Sequence, residues 1–147
     1  MIRFVRGDIF ESGAEMLVNP VDCVGGCGKG LALEFMRRFP DNYVAYRKEC
    51  MNHFRIGRMF VTAYTAYIVN FATKIDWQEK SRLVWIVSGL RDLRRTIDNL
   101  KPQSVAIPAL GCGCGGLRWV DVKPEIEKAL GGLAVDIMVY EPMEKER

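Results

Sequence analysis

The sequence predicts an α/β fold, because short apolar strands alternate with amphipathic helices along the chain. The clearest helix covers residues 83–97, where apolar residues recur at steps of three and four and charged residues take the opposite face. The strand signal is a series of short runs rich in β-branched and aromatic residues, bounded by Gly, Ser or Pro. A length of 147 residues suits one compact domain, residues 1–147, with a charged, frayed end at 141–147.

The elements follow in order from local patterns. Two early strands are predicted at residues 2–6, where apolar and charged residues alternate, and at residues 16–18, a short apolar run. A helix begins at Gly30 and ends before Pro40, because the residue before a proline disfavours helical geometry. The remaining elements are a short helix at 42–50, strands at 59–62 and 67–71, the long helix, a strand at 104–108, a helix at 120–130 and a strand at 135–140.

Composition narrows the cellular context. No apolar run approaches the roughly 20 residues that cross a bilayer as a helix, and the chain opens with charged residues rather than an apolar signal region. We therefore expect a cytoplasmic protein that does not associate with membranes. The 5 cysteines form an odd set, which favours reduced thiols over a disulfide framework.

The distribution of charge is compatible with nucleic-acid binding without requiring it. A formal net charge of +3 is too small to indicate such binding by itself. One stretch of about 20 positions is rich in basic residues and can create a local positive field. This stretch could instead be an ordinary solvated face of helices. Its basic residues are Arg37, Arg38, Arg47, Lys48, Arg55 and Arg58.

Two glycine-rich loops, each between a predicted strand and a predicted helix, are the main functional signal. The first spans residues 24–30 (VGGCGKG), and the second spans residues 111–116 (GCGCGG). Glycine permits close backbone approach, so successive N–H groups can converge on phosphate oxygens beside a helix N-terminus. Loops that leave the carboxyl ends of strands line the same crevice, so the pair predicts a bound diphosphate.

The loops do not match the better-known phosphate-binding motifs. Lys29 is followed by Gly30 rather than by the Ser or Thr that holds magnesium in a phosphate-binding loop. Neither loop places a G-x-G-x-x-G fingerprint after the first strand. We therefore predict a nucleotide diphosphate held by backbone groups, with no cofactor and no obligatory metal. A zinc site is disfavoured because thiolates would repel the diphosphate; its ligands would be Cys23, Cys27, Cys112 and Cys114.

Taken together, these segments resemble a macrodomain. The matching segments are Gly7-Asp8-Ile9, residues 18–33 (VNPVDCVGGCGKGLAL), residues 107–117 (IPALGCGCGGL) and Val139-Tyr140. The runs GKGLAL at 28–33 and NFATKIDW at 70–77 are most similar to the DarG antitoxin branch and to human terminal ADP-ribose glycohydrolase. The resemblance implies a three-layer α/β/α fold with a mixed, mostly parallel central sheet, and ADP-ribose as the ligand.

The resemblance also implies the ligand contacts. Asp8 is expected to accept a hydrogen bond from the adenine amino group, with Ile9 beside it. Tyr140 is expected to pack against adenine or, alternatively, to cap the core. The diphosphate and distal ribose would contact the two loops and their neighbours, namely Asp22, Cys23, Gly28, Lys29, Gly30, Leu31, Ala32, Thr73, Pro108, Leu110, Gly111, Cys112, Gly113, Cys114, Gly115, Gly116 and Leu117.

Lys74 is the candidate nucleophile. It follows an apolar strand end, so its side chain is expected to be partly screened from water, which favours the neutral amine. A neutral amine can attack the anomeric carbon of the distal ribose and give a covalent adduct that water resolves. Lys74 also matches the lysine that carries activity in the DarG branch, and an ordinary surface lysine is the alternative.

Three positions differ from these relatives. Gly115 stands where the human relative has an acid, which favours the DarG branch. Asp22 stands where asparagine is frequent. Its carboxylate either acts as a catalytic general acid, general base or stabiliser of positive charge on the ribose, or simply replaces an amide hydrogen bond. Asp76 stands where DarG-like sequences have histidine.

The implied function is removal of ADP-ribose from DNA. DarG-like domains reverse the ADP-ribosylation of thymidine in single-stranded DNA by a partner toxin, DarT, so we expect a monomeric, antitoxin-like hydrolase. Trp77, Arg82 and Trp119 are candidates for contacts with the DNA strand. Two other functions stay open: a reader that binds ADP-ribose without turnover, and a hydrolase of ADP-ribosylated protein or of ADP-ribose 1″-phosphate.

Overall fold

A computed structural model describes residues 1–143. Within these residues the strands are β1 (Ile2–Val5), β2 (Met16–Val21), β3 (Phe60–Ala63), β4 (Tyr67–Ala72), β5 (Ser104–Ile107) and β6 (Asp136–Tyr140). The helices of the same region are α1 (Gly30–Arg38), α2 (Pro40–Met51), α3 (Leu83–Leu100) and α4 (Trp119–Leu130), and a short 3-10 turn covers Ile9–Glu11.

The strands form one sheet in the order β1-β6-β5-β2-β4-β3. Neighbouring strands are parallel except at the edge, where β3 runs antiparallel to β4. Because parallel strands end at the same edge of a sheet, the segments that follow β1, β2, β4, β5 and β6 meet there. The predicted α/β fold with a mixed, mostly parallel sheet is confirmed.

Helices cover both faces of the sheet. Helices α3 and α4 pack on the face that carries the largest core cluster, in which Ile86, Leu90, Leu93 and Ile97 are the buried stripe predicted for the long helix. Helices α1 and α2 cover the other face, where the fully buried Phe35 anchors a second cluster. The molecule therefore has the three layers implied by the family resemblance.

Strand β2 is longer than predicted and continues through Pro20 to Val21. Pro20 lacks the N–H that a central strand normally donates. The carbonyl of Val21 accepts from the Thr73 N–H on the β4 side, so the backbone of Pro20 faces the opposite side, where pairing with β5 ends at Leu17. The missing donor therefore breaks no ladder hydrogen bond, and the strand reaches the edge where the glycine-rich loop begins.

The charged end predicted for residues 141–147 begins with an anchored residue. The N–H of Glu141 donates to the Val5 carbonyl at 2.9 Å. Its carboxylate accepts from Trp119 Nε1 at 3.2 Å and from Lys123 Nζ at 3.4 Å. Residues 144–147, the rest of the predicted frayed end, lie outside the described residues. Among residues 1–143, no helix has the length and apolar character needed to cross a membrane.

Candidate functional site

A cleft with a volume of about 1020 Å³ opens at the carboxyl edge of β2, β4 and β5. The loop between β2 and α1 forms one wall, and the loop between β5 and α4 forms the other. The segment that follows β4 contributes Thr73, Lys74 and Trp77 between them. A concave site of this size at the ends of parallel strands suits a nucleotide-sized ligand.

Most residues that the sequence assigns to the ligand are brought together here. Those that line the cleft are Asp22, Gly28, Lys29, Gly30, Leu31, Ala32, Thr73, Lys74, Pro108, Gly111, Cys112, Gly113, Cys114, Gly115, Gly116 and Leu117. Leu110 is instead buried in the main core, and Cys23 packs into the cluster around Tyr46 under α2. Because neither side chain lines the cleft, their contact with a ligand stays a prediction.

The residues predicted to hold adenine lie beside the cleft, at the ends of the neighbouring strands β1 and β6. Asp8 is exposed, and its Oδ1 accepts from the Phe10 N–H at 2.9 Å, which caps the 3-10 turn. Ile9 is buried and packs in one cluster with Tyr140 and with Leu31, which itself lines the cleft. Burial, followed by the nearby Asp8 carboxylate, raises the pKa of Tyr140. Leu31 thus connects the cleft to the predicted adenine site.

The first glycine-rich loop is folded around Asp22. This side chain is 3% exposed, and its Oδ1 accepts from the N–H groups of Val24, Gly25 and Gly26 at 3.0, 2.9 and 3.0 Å. The same oxygen lies 2.7 Å from the hydroxyl of Tyr46, a buried residue of α2. Burial, followed by the adjacent Asp22, raises the pKa of Tyr46, so the phenol stays a donor. One carboxylate oxygen therefore ties the loop to the helix layer.

The hydrogen bonds to Asp22 determine which N–H groups of the first loop remain available to a ligand. Residues 24–26 donate theirs to Asp22 Oδ1. The next three N–H groups, of Cys27, Gly28 and Lys29, donate to no other group in the described part of the chain. Helix α1 begins at Gly30, and its N-cap residue, Lys29, makes no capping hydrogen bond through its side chain. The cleft therefore faces a row of available backbone donors that ends at a helix N-terminus.

The second loop offers a matching set of donors. Its ends are fixed by hydrogen bonds from the Leu117 N–H to the Gly111 carbonyl at 2.9 Å and from the Gly116 N–H to the Gly113 carbonyl at 3.2 Å. Between them, the N–H groups of Gly113, Cys114 and Gly115 donate to no acceptor within residues 1–143. The segment that follows β4 is attached to this loop, because the Ser81 N–H donates to the Gly115 carbonyl at 2.9 Å.

Gly115 has no room for a side chain. A Cβ at this position would lie 2.5 Å from the Gly111 carbonyl oxygen and would also overlap Ser81. This is a physical reason for glycine at position 115. At Gly113, two residues earlier, a Cβ would meet no atom within 4 Å.

We expect Gly115→Ala to lower the free energy of unfolding by about 1–3 kcal/mol, because the added methyl group overlaps backbone that cannot move freely. Gly113→Ala is the matched control, and its effect should stay within about 0.5 kcal/mol. Urea denaturation of both variants measures the difference. Equal stabilities would show that the second loop is not packed as described.

Lys74 is half-buried in the cleft. Its Nζ donates to the Trp77 carbonyl at 3.4 Å. No ion pair within residues 1–143 involves it, so no carboxylate neutralises the amine. The Asp76 carboxylate accepts from the Gln78 N–H at 3.0 Å and so shapes the turn that follows. The candidate nucleophile thus lies between the two sets of backbone donors.

Two sequence interpretations need correction. Trp119, predicted to be available for stacking on DNA, is 9% exposed and donates through Nε1 to Glu141, so it belongs to the core. Within the predicted basic patch, Arg37 and Arg38 share a single acidic partner, Glu34 on α1, which offsets one of their two positive charges. Trp77, in contrast, is 58% exposed and lines the cleft.

The cysteines do not assemble into a metal site in the described part of the chain, where no group of at least 3 His, Cys, Asp or Glu side chains could hold a metal ion. Burial, together with the nearby Cys50 and Asp22, raises the pKa of Cys23 to about 11. Burial likewise raises the pKa of Cys50 to about 11. Both groups are therefore neutral thiols near pH 7.

Comparison with known proteins agrees with this geometry. Residues 18–126, which include both loops and Lys74, match the family model described as Macro domain. The chain belongs to the macrodomain family. A protein of Thermus aquaticus named DNA ADP-ribosyl glycohydrolase is 47% identical to this macrodomain over 154 aligned residues, covering 100% of the chain. The macrodomain spans only 43% of the length of that relative.

This macrodomain is similar in structure to the solved macrodomains of DarG proteins. The macrodomain of Thermus aquaticus DarG has a TM-score of 0.91 at 48% identity, with 97% of this chain and 99% of that chain covered. The macrodomain of Mycobacterium tuberculosis DarG has a TM-score of 0.94 at 43% identity, with the same coverage of 97% and 99%.

A further relative was solved with a ligand. The structure of Thermosipho africanus DarTG in complex with ADP-ribose has a TM-score of 0.91 at 32% identity, covering 97% of this macrodomain and 42% of that chain. The corresponding protein is named a DNA ADP-ribosyl transferase and DNA ADP-ribosyl glycohydrolase fusion protein.

Sequence reasoning missed several parts of the site. Cys27 lines the cleft from inside the first loop, and Ala109 and Arg118 line it from either side of the second, although the sequence assigned none of the three to the ligand. Tyr46 was missed for a different reason. It lies 24 residues from Asp22, and nothing in the local pattern of α2 indicates that its hydroxyl reaches the loop.

Proposed function

We propose that this macrodomain binds ADP-ribose in the cleft and hydrolyses its bond to DNA, with Lys74 as the nucleophile. The observation that carries the proposal is the half-buried Lys74 side chain between two loops in which the N–H groups of residues 27–29 and 113–115 have no acceptor in the described residues. The names of the relatives from Thermus aquaticus and Thermosipho africanus support the choice of DNA as substrate.

The diphosphate is assigned to the space between the two loops. The N–H groups of residues 27–29 with the start of α1 face it from one side, and those of residues 113–115 face it from the other. Such donors are fixed before the ligand arrives, so they neutralise phosphate charge without the reorganisation that long side chains need. The adenine then extends past Leu31 toward Asp8 and Tyr140, and the distal ribose extends toward Lys74.

The proposed chemistry is displacement at the anomeric carbon of the distal ribose. The Lys74 nitrogen forms a bond to this carbon while the bond to the DNA base breaks, and the electron pair leaves with the base. The base takes up the proton that the amine loses. Water then adds to the anomeric carbon, the carbon–nitrogen bond breaks, and free ADP-ribose and the lysine amine are restored.

Asp22 is proposed to be a positioning residue in this reaction. Its Oδ1 already accepts from three backbone N–H groups and lies within hydrogen-bond distance of Tyr46. These donors occupy Oδ1, so that oxygen holds the loop in place rather than contacting a ligand. Its main effect is to keep the first loop turned so that residues 27–29 face the ligand.

The substrate requires a second enzyme that installs ADP-ribose on DNA. In the Thermosipho africanus relative a DNA ADP-ribosyl transferase and the glycohydrolase are parts of one fusion protein. We therefore propose a DarT-like transferase as the functional partner of this macrodomain. The macrodomain would act as an antitoxin by removing the ADP-ribose that the transferase attaches to DNA.

The proposal is tested by incubating the protein separately with ADP-ribosylated single-stranded DNA, ADP-ribosylated protein and ADP-ribose 1″-phosphate. Chromatography of released ADP-ribose measures turnover in each case. We expect release from the DNA only. Release only from protein or from the phosphate would refute the substrate assignment, and binding of ADP-ribose without release from any of the three would identify a reader.

A further inference from the structure

Trp77 has no structural task that explains its exposure. Its side chain is 58% exposed, although large aromatic side chains are usually packed. It lines the same cleft as Lys74, and the Lys74 Nζ donates to its carbonyl at 3.4 Å. An indole that is open to water beside the candidate nucleophile is a surface for a planar ligand group.

The inner edge of the indole is fixed by the first loop. A Cβ at Gly26 would lie 3.3 Å from Trp77 Cδ1 and 3.4 Å from its Cβ, so the ring rests directly on this glycine. The backbone before it is also tied, because the Cys23 N–H donates to the Ile75 carbonyl at 3.0 Å. The ring is therefore held in place while its outer face stays open.

Three exposed cations lie in or next to the same cleft. Lys29 and Arg118 are exposed and line the cleft, and the exposed Lys80 packs on Gly116 of the second loop. None of these three forms an ion pair with a residue that the structure describes. An aromatic surface flanked by available cations matches how proteins bind single strands, with bases stacked on rings and phosphates near basic side chains.

We propose that Trp77 stacks against a nucleobase of the single-stranded DNA substrate and thereby presents the strand to Lys74. The inference rests on the proposed function and adds to it the residue that distinguishes DNA from other carriers of ADP-ribose. ADP-ribose itself is assigned to the loops, so Trp77 should contribute to binding of the strand and little to binding of the free ligand.

Two readouts test this role. Kinetics on an ADP-ribosylated single-stranded oligonucleotide should show that Trp77→Ala raises KM about 10-fold or more, with Trp77→Phe much closer to wild type. Calorimetry with free ADP-ribose should give the same Kd for wild type and both variants. Ile75→Ala is the matched control, because Ile75 is an exposed apolar residue of the same segment that does not line the cleft.

Quenching of tryptophan fluorescence by unmodified oligothymidylate provides a readout that needs no turnover. Stacking should quench the wild-type emission, and Trp77→Phe should remove the quenching while Trp85→Phe retains it. An unchanged KM in Trp77→Ala, or quenching that survives in Trp77→Phe, would overturn the inference. Loss of ADP-ribose affinity in Trp77→Ala would overturn it too, since the indole would then serve the nucleotide site. A wild-type protein that releases nothing from DNA refutes the proposed function, and the quenching still decides the role of Trp77.

Discussion

Lys74→Ala is expected to stop the release of ADP-ribose from DNA while leaving the binding of ADP-ribose intact. The substitution removes the only group assigned to attack the anomeric carbon, so kcat should fall by at least about 1000-fold. The diphosphate is assigned to backbone N–H groups of residues 27–29 and 113–115, which the substitution does not alter. The Kd measured by calorimetry should therefore change little.

The controls separate chemistry from charge. Lys74→Arg keeps a positive charge at the site but supplies no neutral amine, so it should be as inactive as alanine. Lys128→Ala removes an exposed lysine of α4 that lies outside the cleft, and it should retain full turnover. A Lys74→Ala protein that releases ADP-ribose at the wild-type rate would exclude Lys74 as the nucleophile.

Asp22→Ala should damage both stability and binding. It leaves the part-buried N–H groups of residues 24–26 without their acceptor, whereas the hydroxyl of Tyr46 keeps the Asp22 carbonyl as a second acceptor. Losing the acceptor for three part-buried donors should lower the free energy of unfolding by about 2–3 kcal/mol, which urea denaturation measures. The first loop would no longer be held, so ADP-ribose affinity should fall as well.

Asp22→Asn distinguishes positioning from proton transfer. The amide keeps an oxygen that can accept the same hydrogen bonds, so the variant should be nearly as stable as wild type. If Asp22 only positions the loop, kcat should stay within about 10-fold of wild type, since general acid or base catalysis contributes about 100-fold or more. A stable Asp22→Asn protein with a larger loss of kcat would assign the carboxylate a chemical role.

Periodicity and glycine content predicted the fold and the position of the cleft. The apolar stripe of α3 is visible in the sequence because a helix repeats every 3.6 residues on its buried face. The two loops are visible because glycine concentrates where backbone approaches a ligand or another backbone. The extension of β2 through Pro20 was not predictable, since it depends on where β5 stops pairing.

The internal support of the site could not be predicted from the sequence. The hydrogen bonds from residues 24–26 to Asp22 are local and typical of a turn formed by an aspartate, whereas the contact with Tyr46 joins two elements far apart in the chain. The burial of Trp119 depends on its hydrogen bond to Glu141, which lies 22 residues away in the chain. Aromatic residues such as Trp77 and Trp119 look alike in a sequence, and only the packing of distant elements decides which one is exposed.

Trapping of the reaction intermediate tests the central claim most directly. Wild-type protein would be mixed with ADP-ribosylated single-stranded DNA in the presence of borohydride, digested, and analysed by peptide mass spectrometry. An amine that attacks the anomeric carbon opens the sugar to an imine, which borohydride reduces to a stable amine. We predict that the peptide containing Lys74 gains the mass of ADP-ribose less one oxygen atom, because imine formation loses water and reduction adds two hydrogens. Full turnover with Lys74 unmodified and the adduct on another residue would contradict the account.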